Sequence, residues 1–333
     1  MKINKKNTIR CGTITGISTC DHEEAEVLTI DHGWQVVALK DKFKDNEEVV
    51  FIPSGSWIPS TLVPLTETAE YKGIKGGYLP MMKMGGEWSE GIVLKKDKWN
   101  PNDKARVWER DLPEEFQPES YRSYPTFIKK VEYLDAQDIA DDLFARWYNT
   151  KFEITPRVNG IEMTVFVKGG RFGICSDKYS IDESAKDAFW KLAYEMNLPR
   201  AMVDYRDYYA IHGTIVGDGI YNNTERIKGR KFYIHDIYDI ETSEFMLPKD
   251  RYKVFCDLIE DTDNLCHVDV YNKDIPLHEI GQEMKDFHEY CQTYKDGRSM
   301  YAFSKRKGMV FKSCDSQFGF KLKSNMFHFA NKL

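Results

Sequence analysis

Five stretches of this 333-residue chain set basic, acidic and amide side chains into apolar strand-like runs, where they could do chemistry. They are PRVNGIEMTVF, FGICSDK, IHGTIVGDGI, FYIHDIYDI and the pair KGMVFK…FKLKSN. Taken residue by residue, each has two readings. Arg157 is either a strand residue with a solvated guanidinium or part of a pocket lining. Lys312, Lys321 and Lys323 alternate with apolar neighbours, as solvent-facing strand lysines do. His212 and His235 read as hydrogen-bonded strand histidines or as acid–base groups. Asp236 and Asp239 read as structural carboxylates or as metal ligands. Gly213 and Gly217 read as turn glycines or as part of a site. Trp34, Trp57 and Trp88 could stack on nucleobases or fill a core. The run Lys95-Lys96-Asp97-Lys98 reads as a solvated turn.

The elements that must hold these residues fall into two groups. Over residues 8–96, short runs such as TIRCGTITGIS, EVLTI, WQVVAL, EVVFI, GYLPMMKM and GIVLKK alternate with Gly, Pro, Asp and Asn punctuation. Five or six strands in so short a span predict a small OB-like β-barrel. Residues 97–124 are polar and proline-bearing and read as a linker. The expected domains are residues 1–115 and 116–333. The second is α+β, with strands over Glu153–Val167, Phe172–Cys175, Tyr208–Val216, Phe232–Ile240, Met309–Ser313 and Gly319–Leu322. Helical periodicity predicts helices over Leu134–Tyr148, Lys249–Thr262 and Leu277–Lys295. The first would bury Leu134, Ile139, Leu143, Phe144 and Trp147. The second would bury Tyr252, Phe255, Cys256 and Ile259. The third would bury Ile280, Met284, Phe287, Cys291 and Tyr294. A further helix would follow a Ser180…Glu183 capping box and bury Phe189, Trp190, Ala193 and Met196.

Composition narrows the function classes. With 47 basic and 53 acidic residues the net charge is −6, so no global basic field points to nucleic acid; a local basic groove stays open. The seven cysteines include no C-x-x-C pair, which argues against a zinc site or a disulfide framework and for a reducing, cytoplasmic setting. The basic start lacks an apolar stretch behind it, and no apolar run approaches the ~18–20 residues of a membrane span.

Taken together and in order, the five segments resemble the motifs of the covalent nucleotidyltransferase superfamily, which includes RNA ligases, DNA ligases and capping enzymes. The likeness is to ATP-dependent RNA ligases that carry an OB domain in front, and it extends to the N-terminal run GWQVVALKDKFKDNEEVVFIPSGSWIP. In such enzymes a neutral lysine amine attacks the α-phosphate of ATP, AMP passes to a 5′-phosphate, and a 3′-hydroxyl displaces it.

Against that pattern this chain departs where the chemistry is carried. The family's Glu-Lys-x-Asp-Gly is Pro156-Arg157-Val158-Asn159-Gly160, and a guanidinium stays protonated. The family's nucleotide-facing Gly-Glu is Gly213-Thr214. Its Glu-Gly is Lys307-Gly308, its Ser-Arg is Ser176-Asp177, and His235 stands where an aromatic precedes the Asp. The basic set Lys312, Lys321 and Lys323, which the family uses on phosphates, is present.

The resemblance therefore implies an RNA ligase-like protein that binds RNA or nucleotide and is defective in self-adenylation. The nucleotide site would comprise Arg157 at the nucleophile position, with Asn159, Gly160, Thr214, His235, Lys307, Lys312, Lys321 and Lys323. ATP or AMP would be the ligand. Mg or Mn would be needed only if the site is active, and no resident metal ligand set is assigned. Two alternatives stand beside it. One is an active RNA end-joining or repair ligase with a displaced nucleophile, Lys151 or Lys168. The other is a protein-interaction or inhibitor module that reuses the cleft.

Overall fold

Turn residues cut the first hundred residues into short strands, which then pair across the sequence. The computed structural model describes residues 9–31, 33–63, 68–100, 105–107, 111–184, 186–280 and 295–327. Strand Arg10–Thr19 pairs antiparallel with Ala25–Ile30 on one side and Glu48–Pro53 on the other. Trp34–Leu39 and Gly91–Lys95 complete a five-stranded sheet as its two edges. Those edges turn back toward each other. The Glu90 N–H donates to the Gln35 carbonyl at 2.8 Å, and the Gln35 N–H donates to Glu90 Oε2 at 2.9 Å. The sheet is thus nearly closed into a barrel around Ile14, Leu28, Ile30, Val36, Val49 and Phe51. Trp34 and Trp57 are buried, so both serve packing, whereas Trp88 is half-buried beside the Lys83 ammonium. Lys96, in the turn after the barrel's last strand, pairs with Glu48 at 2.8 Å on the surface.

The rest of the chain builds two larger sheets. One has eight strands, and its central three are Ile161–Lys168, Tyr209–Gly217 and Arg230–Asp239. Alternation decides its faces. Ile161, Met163, Val165 and Val167 point to a core shared with three helices, Ala188–Glu195, Leu198–Tyr205 and Pro248–Ile259. Glu162 and Thr164 point the other way. The second sheet has five strands, in the order Leu134–Asp135, Gly319–Lys323, Gly308–Ser313, Lys151–Pro156 and Asn272–Pro276. Its outer face buries Phe152, Ile154, Met309, Phe311, Phe320 and Leu322 with Leu143. Both apolar faces therefore look outward to their own cores, and the polar faces look at each other.

Several expectations are corrected. The run Glu153–Val167 is not one strand. It breaks at Arg157–Gly160, where the chain crosses from the five-stranded to the eight-stranded sheet. Ser180 lies in the strand Tyr179–Ile181 and caps nothing; the helix starts at Ala188, capped by the Asp187 carboxylate, which accepts from the Phe189 and Trp190 N–H groups. Its predicted stripe of Phe189, Trp190, Ala193 and Met196 is buried. The helix expected from Leu134 begins at Ala140, because Leu134–Asp135 is taken up by parallel pairing with Phe320 and Lys321. Along Pro248–Ile259 the buried face is Arg251, Val254, Phe255 and Leu258, one residue out of step with the expected stripe; Tyr252, Cys256 and Ile259 are exposed. Within the 97–124 segment, expected to be a linker, Ala105 packs into the barrel's flank and Phe116 into the helix-side core. Of the expected Leu277–Lys295 helix, Leu277–Ile280 is helical, and residues 281–294 lie outside the described residues.

Candidate active-site cleft

The site is the polar space between the two large sheets. Its first wall is the crossover itself. Strand Lys151–Pro156 ends in proline, and the Arg157 N–H donates to the Gly308 carbonyl at 3.0 Å. Asn159 is buried and its amide donates to Thr224 Oγ1 at 3.1 Å. Gly160 is required by close approach: a Cβ there would sit 2.0 Å from the Ile215 carbonyl oxygen. The structure thus places Arg157, Asn159 and Gly160 on one tight connection, with Lys307 on the segment hydrogen-bonded to it.

Arg157 is partly buried, and its Nη1 is buried with no hydrogen-bond partner among the described residues. Burial pulls its pKa down, while Asp135 and Glu162 oppose that shift. Asp135 is the carboxylate of this corner. It pairs with Lys323 at 2.9 Å, and although burial resists its charge, Lys323, Lys321 and Arg157 hold it below the usual carboxylate range. Lys321 Nζ donates to the Tyr133 carbonyl at 2.7 Å.

A second cluster ties the sheets together. The Lys312 ammonium pairs with Asp236 at 3.0 Å and donates to the His235 carbonyl. Tyr133 donates its hydroxyl to Asp236 at 2.7 Å. Burial resists charge on Asp236, but Lys312 and His235 outweigh it and keep Asp236 ionised far below its usual range. Behind it, fully buried Arg251 pairs with buried Glu153, and its Nε donates to His267 Nε2 at 3.1 Å. His267 in turn donates from Nδ1 to the Val268 carbonyl, and burial pushes its pKa down to about 4, so it is neutral. Burial and the Arg251 charge bring Lys312 down to about 8, against the pull of Asp236 and Glu153.

His235 joins the clusters. Its Nδ1 meets Asp236 and its Nε2 meets Glu162, each at 3.1 Å. Burial works against its charge, but the two carboxylates outweigh burial and raise its pKa. Glu162 is also held ionised by His235, Lys307 and Arg157, against burial. Thr214 is buried directly across the ladder from Glu162 and donates its hydroxyl to Glu162 Oε1 at 3.3 Å.

The remaining candidates make local contacts outside these two clusters. His212 is buried, bonded through Nδ1 to Thr164 at 2.9 Å, and pushed by burial to about 3, hence neutral. Asp239 caps a turn through the Glu241 and Thr242 N–H groups and pairs with Arg206. Lys151 and Lys168 are exposed at strand ends, each six residues along its strand from Arg157 or Glu162, about 20 Å. The Lys168 ammonium sits 3.8 Å from the Phe127 ring centroid.

Sequence reasoning missed Tyr133, Asp135, Glu153, Glu162, Glu225 and Arg251. Arg251 left a signal, since it occupies an apolar-stripe position at i, i+3, i+4 and i+7 spacing with Val254, Phe255 and Leu258. Glu162 left one too, as the charged alternate between Ile161 and Met163. Buried Glu225 accepts from the Asn159 N–H and from Ser299, and faces the Lys307 charge; burial raises its pKa.

The donor set does not suit a resident divalent cation. Asp236, Glu153 and Asp135 are each neutralised by a lysine or arginine, and the described residues hold no group of three or more His, Cys, Asp or Glu placed to bind a metal. No described helix is long and apolar enough to cross a membrane.

Comparison with known proteins places this cleft in context. No curated protein matches the chain. Among solved structures, Naegleria gruberi RNA ligase superposes with a TM-score of 0.87 at 26% identity as an apo variant, covering 99% of each chain. A lysine-to-alanine variant of that ligase with ATP and Mn gives 0.86 at 26% identity, covering 98% of this chain and 99% of that one. The same ligase with pyrophosphate gives 0.85 at 27% identity, with 99% of each chain covered. A sequence model of the family described as RNA ligase matches residues 150–327, more than half of the chain and all of the crossover, Thr214, His235 and the Lys307–Lys323 strands. The chain belongs to the RNA ligase family.

Proposed function

We propose that this protein is an RNA ligase homologue that binds a nucleotide or an RNA end between its two large sheets and does not adenylate itself. Residues 1–115 are read as an OB-like barrel domain and 116–333 as the nucleotidyltransferase-like domain. Arg157, Asn159, Gly160, Thr214, His235, Lys307, Lys312, Lys321 and Lys323 are the proposed binding set. ATP or AMP is the favoured ligand, because the similar Naegleria gruberi ligase is solved with both. The free described cysteines suit a cytoplasmic setting.

One observation carries the reading. Arg157 stands on the crossover beside Gly308, where the family's attacking amine belongs, and its guanidinium is a delocalised cation with no lone pair to offer at neutral pH. Its unpartnered Nη1 suits contact with an anion instead. The test is incubation of the intact chain with α-labelled ATP, followed by denaturing electrophoresis. No alkali-stable, acid-labile AMP adduct should form, while equilibrium dialysis detects bound nucleotide. A covalent AMP–protein bond would refute it.

A second reading, an active ligase with another nucleophile, draws support from Lys312, an amine in the cleft with a pKa near 8. Its ion pair with Asp236 and its burial oppose attack on phosphorus. Peptide mapping that finds AMP on Lys312 would favour this reading over the first.

A further inference from the structure

We propose that Glu162 is the ligand-facing carboxylate of the cleft and accepts the ribose hydroxyls of a ribonucleotide whose phosphates meet Arg157 and Lys307. The inference rests on the nucleotide-binding reading above and specifies which chemistry is recognised.

Three observations lead there. First, Glu162 differs from its acidic neighbours in having surface to offer. Its side chain is 50% exposed, whereas those of Asp236 and Glu153 are 6% and 4% exposed and locked onto Lys312 and Arg251. It lies on the polar face of its strand, since Ile161 and Met163 on either side enter the helix-side core. Second, the carboxylate is held in place. One oxygen is fixed by His235 Nε2 at 3.1 Å and the other by the Thr214 hydroxyl at 3.3 Å. Each carboxylate oxygen can accept two hydrogen bonds, so among the described residues each keeps an open acceptor site. Two acceptors on one plane match two donors on adjacent carbons. Third, Arg157 and Lys307 act on the same carboxylate as neighbouring positive charges. A ligand suited to this corner must present an anion and a pair of hydroxyl donors together. Phosphate alone satisfies half of that demand, and a ribonucleotide satisfies both.

The carboxylate also occupies an unusual address. It projects from the strand next to the one that carries Thr214, at the directly paired position. The polar face of the eight-stranded sheet therefore keeps a negative group beside Thr214.

The experiment compares ATP with 2′,3′-dideoxy-ATP by equilibrium dialysis on the intact chain, on Glu162→Gln, and on the exchange variant Glu162→Thr with Thr214→Glu. Hydrogen bonds to a charged group predict that the unaltered chain binds ATP more tightly by about 10-fold or more. Glu162→Gln should bring the two nucleotides to within about 2-fold of each other. The exchange variant, with a carboxylate returned one strand across, should recover part of the preference. Thermal melting confirms that each variant is folded. Equal binding of the two nucleotides to the unaltered chain overturns the diol assignment alone. So does a preference that survives in folded Glu162→Gln. No binding of either nucleotide overturns the nucleotide reading and this inference with it.

Discussion

Replacing Arg157 by lysine asks whether one side chain separates this cleft from phosphoryl-transfer chemistry. The attacking species is the neutral amine, so the magnitude follows from its fraction. An unperturbed lysine near pKa ~10.4 is about one part in a thousand neutral at about pH 7.5. Lys312 shows how this cleft acts on an amine, since burial and Arg251 bring it to about 8. A lysine at 157 shifted equally would be about one quarter neutral at that pH, roughly a 200-fold gain in attacking amine. The site leans against a full shift, because Asp135 and Glu162 stabilise a cation at 157. The expected gain is therefore up to that figure, and the labelling rate should rise about tenfold per pH unit until the amine's pKa is reached. The assay is formation of an alkali-stable, acid-labile AMP adduct from labelled ATP, mapped to position 157 by peptide digestion at neutral or alkaline pH. The reasoning fails if the unaltered chain labels as fast as Arg157→Lys, or if the variant binds ATP and gains no label.

Other expectations concern the framework. Arg251→Met should destabilise the fold by about 3–5 kcal/mol, since it strands the buried Glu153 charge; adding Glu153→Gln should restore part of that, read as a double-mutant cycle of denaturant midpoints. The same Arg251→Met change removes a charge that depresses Lys312, so an amine-reactive probe should then need higher pH to label Lys312. His235 has a raised folded pKa, so its contribution to stability is complete below the unfolded value near ~6.5 and is lost as pH rises through the folded value; Asp236 is depressed, so its contribution is complete above ~4 and lost on acidification. Chemical denaturation across pH should show stability falling on both sides, and His235→Gln should flatten the alkaline side. Gly160→Ala should cost about 1–3 kcal/mol or more through collision with the Ile215 carbonyl, measured as a lowered melting temperature against a control Gly16→Ala, where the added Cβ would meet Thr29 at an ordinary 3.7 Å.

Alternation made much of the fold legible. The runs around Ile211 and Phe311 show apolar side chains at every second position, and each became a strand within a residue or two of its expected ends. Long-range pairing was not legible. Nothing local to Leu134 and Asp135 says that they pair with Phe320 and Lys321, so in the sequence the downstream helical pattern runs on over them. Nor does a tripeptide reveal that the break between Pro156 and Gly160 moves the chain between sheets. The candidate site divides in the same way. Arg157, Lys312 and Lys323 stand out as sequence positions, but their partners Asp135, Glu162 and Asp236 come from other strands, and only folding brings them together. Buried Arg251 was hidden because helical periodicity tests for apolar residues, and a paired guanidinium can take an apolar position.

The pairing of those charges bears on how such a cleft persists. A phosphate-binding pocket stripped of its own carboxylates would concentrate positive charge and desolvate it, at a cost of several kcal/mol per unpaired buried ion. Here Lys312 has Asp236, Lys323 has Asp135, Arg251 has Glu153, and Lys307 faces Glu162 and Glu225. The cleft's own charges are thereby close to locally balanced. Binding must then exchange partners: an incoming phosphate competes with Asp135 for Lys321 and Lys323, while Arg157 Nη1 gains a bond it lacks. Ligand affinity should consequently rise when Asp135 is replaced by asparagine, with thermal stability of the unliganded chain falling at the same time. A variant that gains stability, or that binds nucleotide more weakly while folded, would show that Asp135 supports the ligand site and does not compete for it.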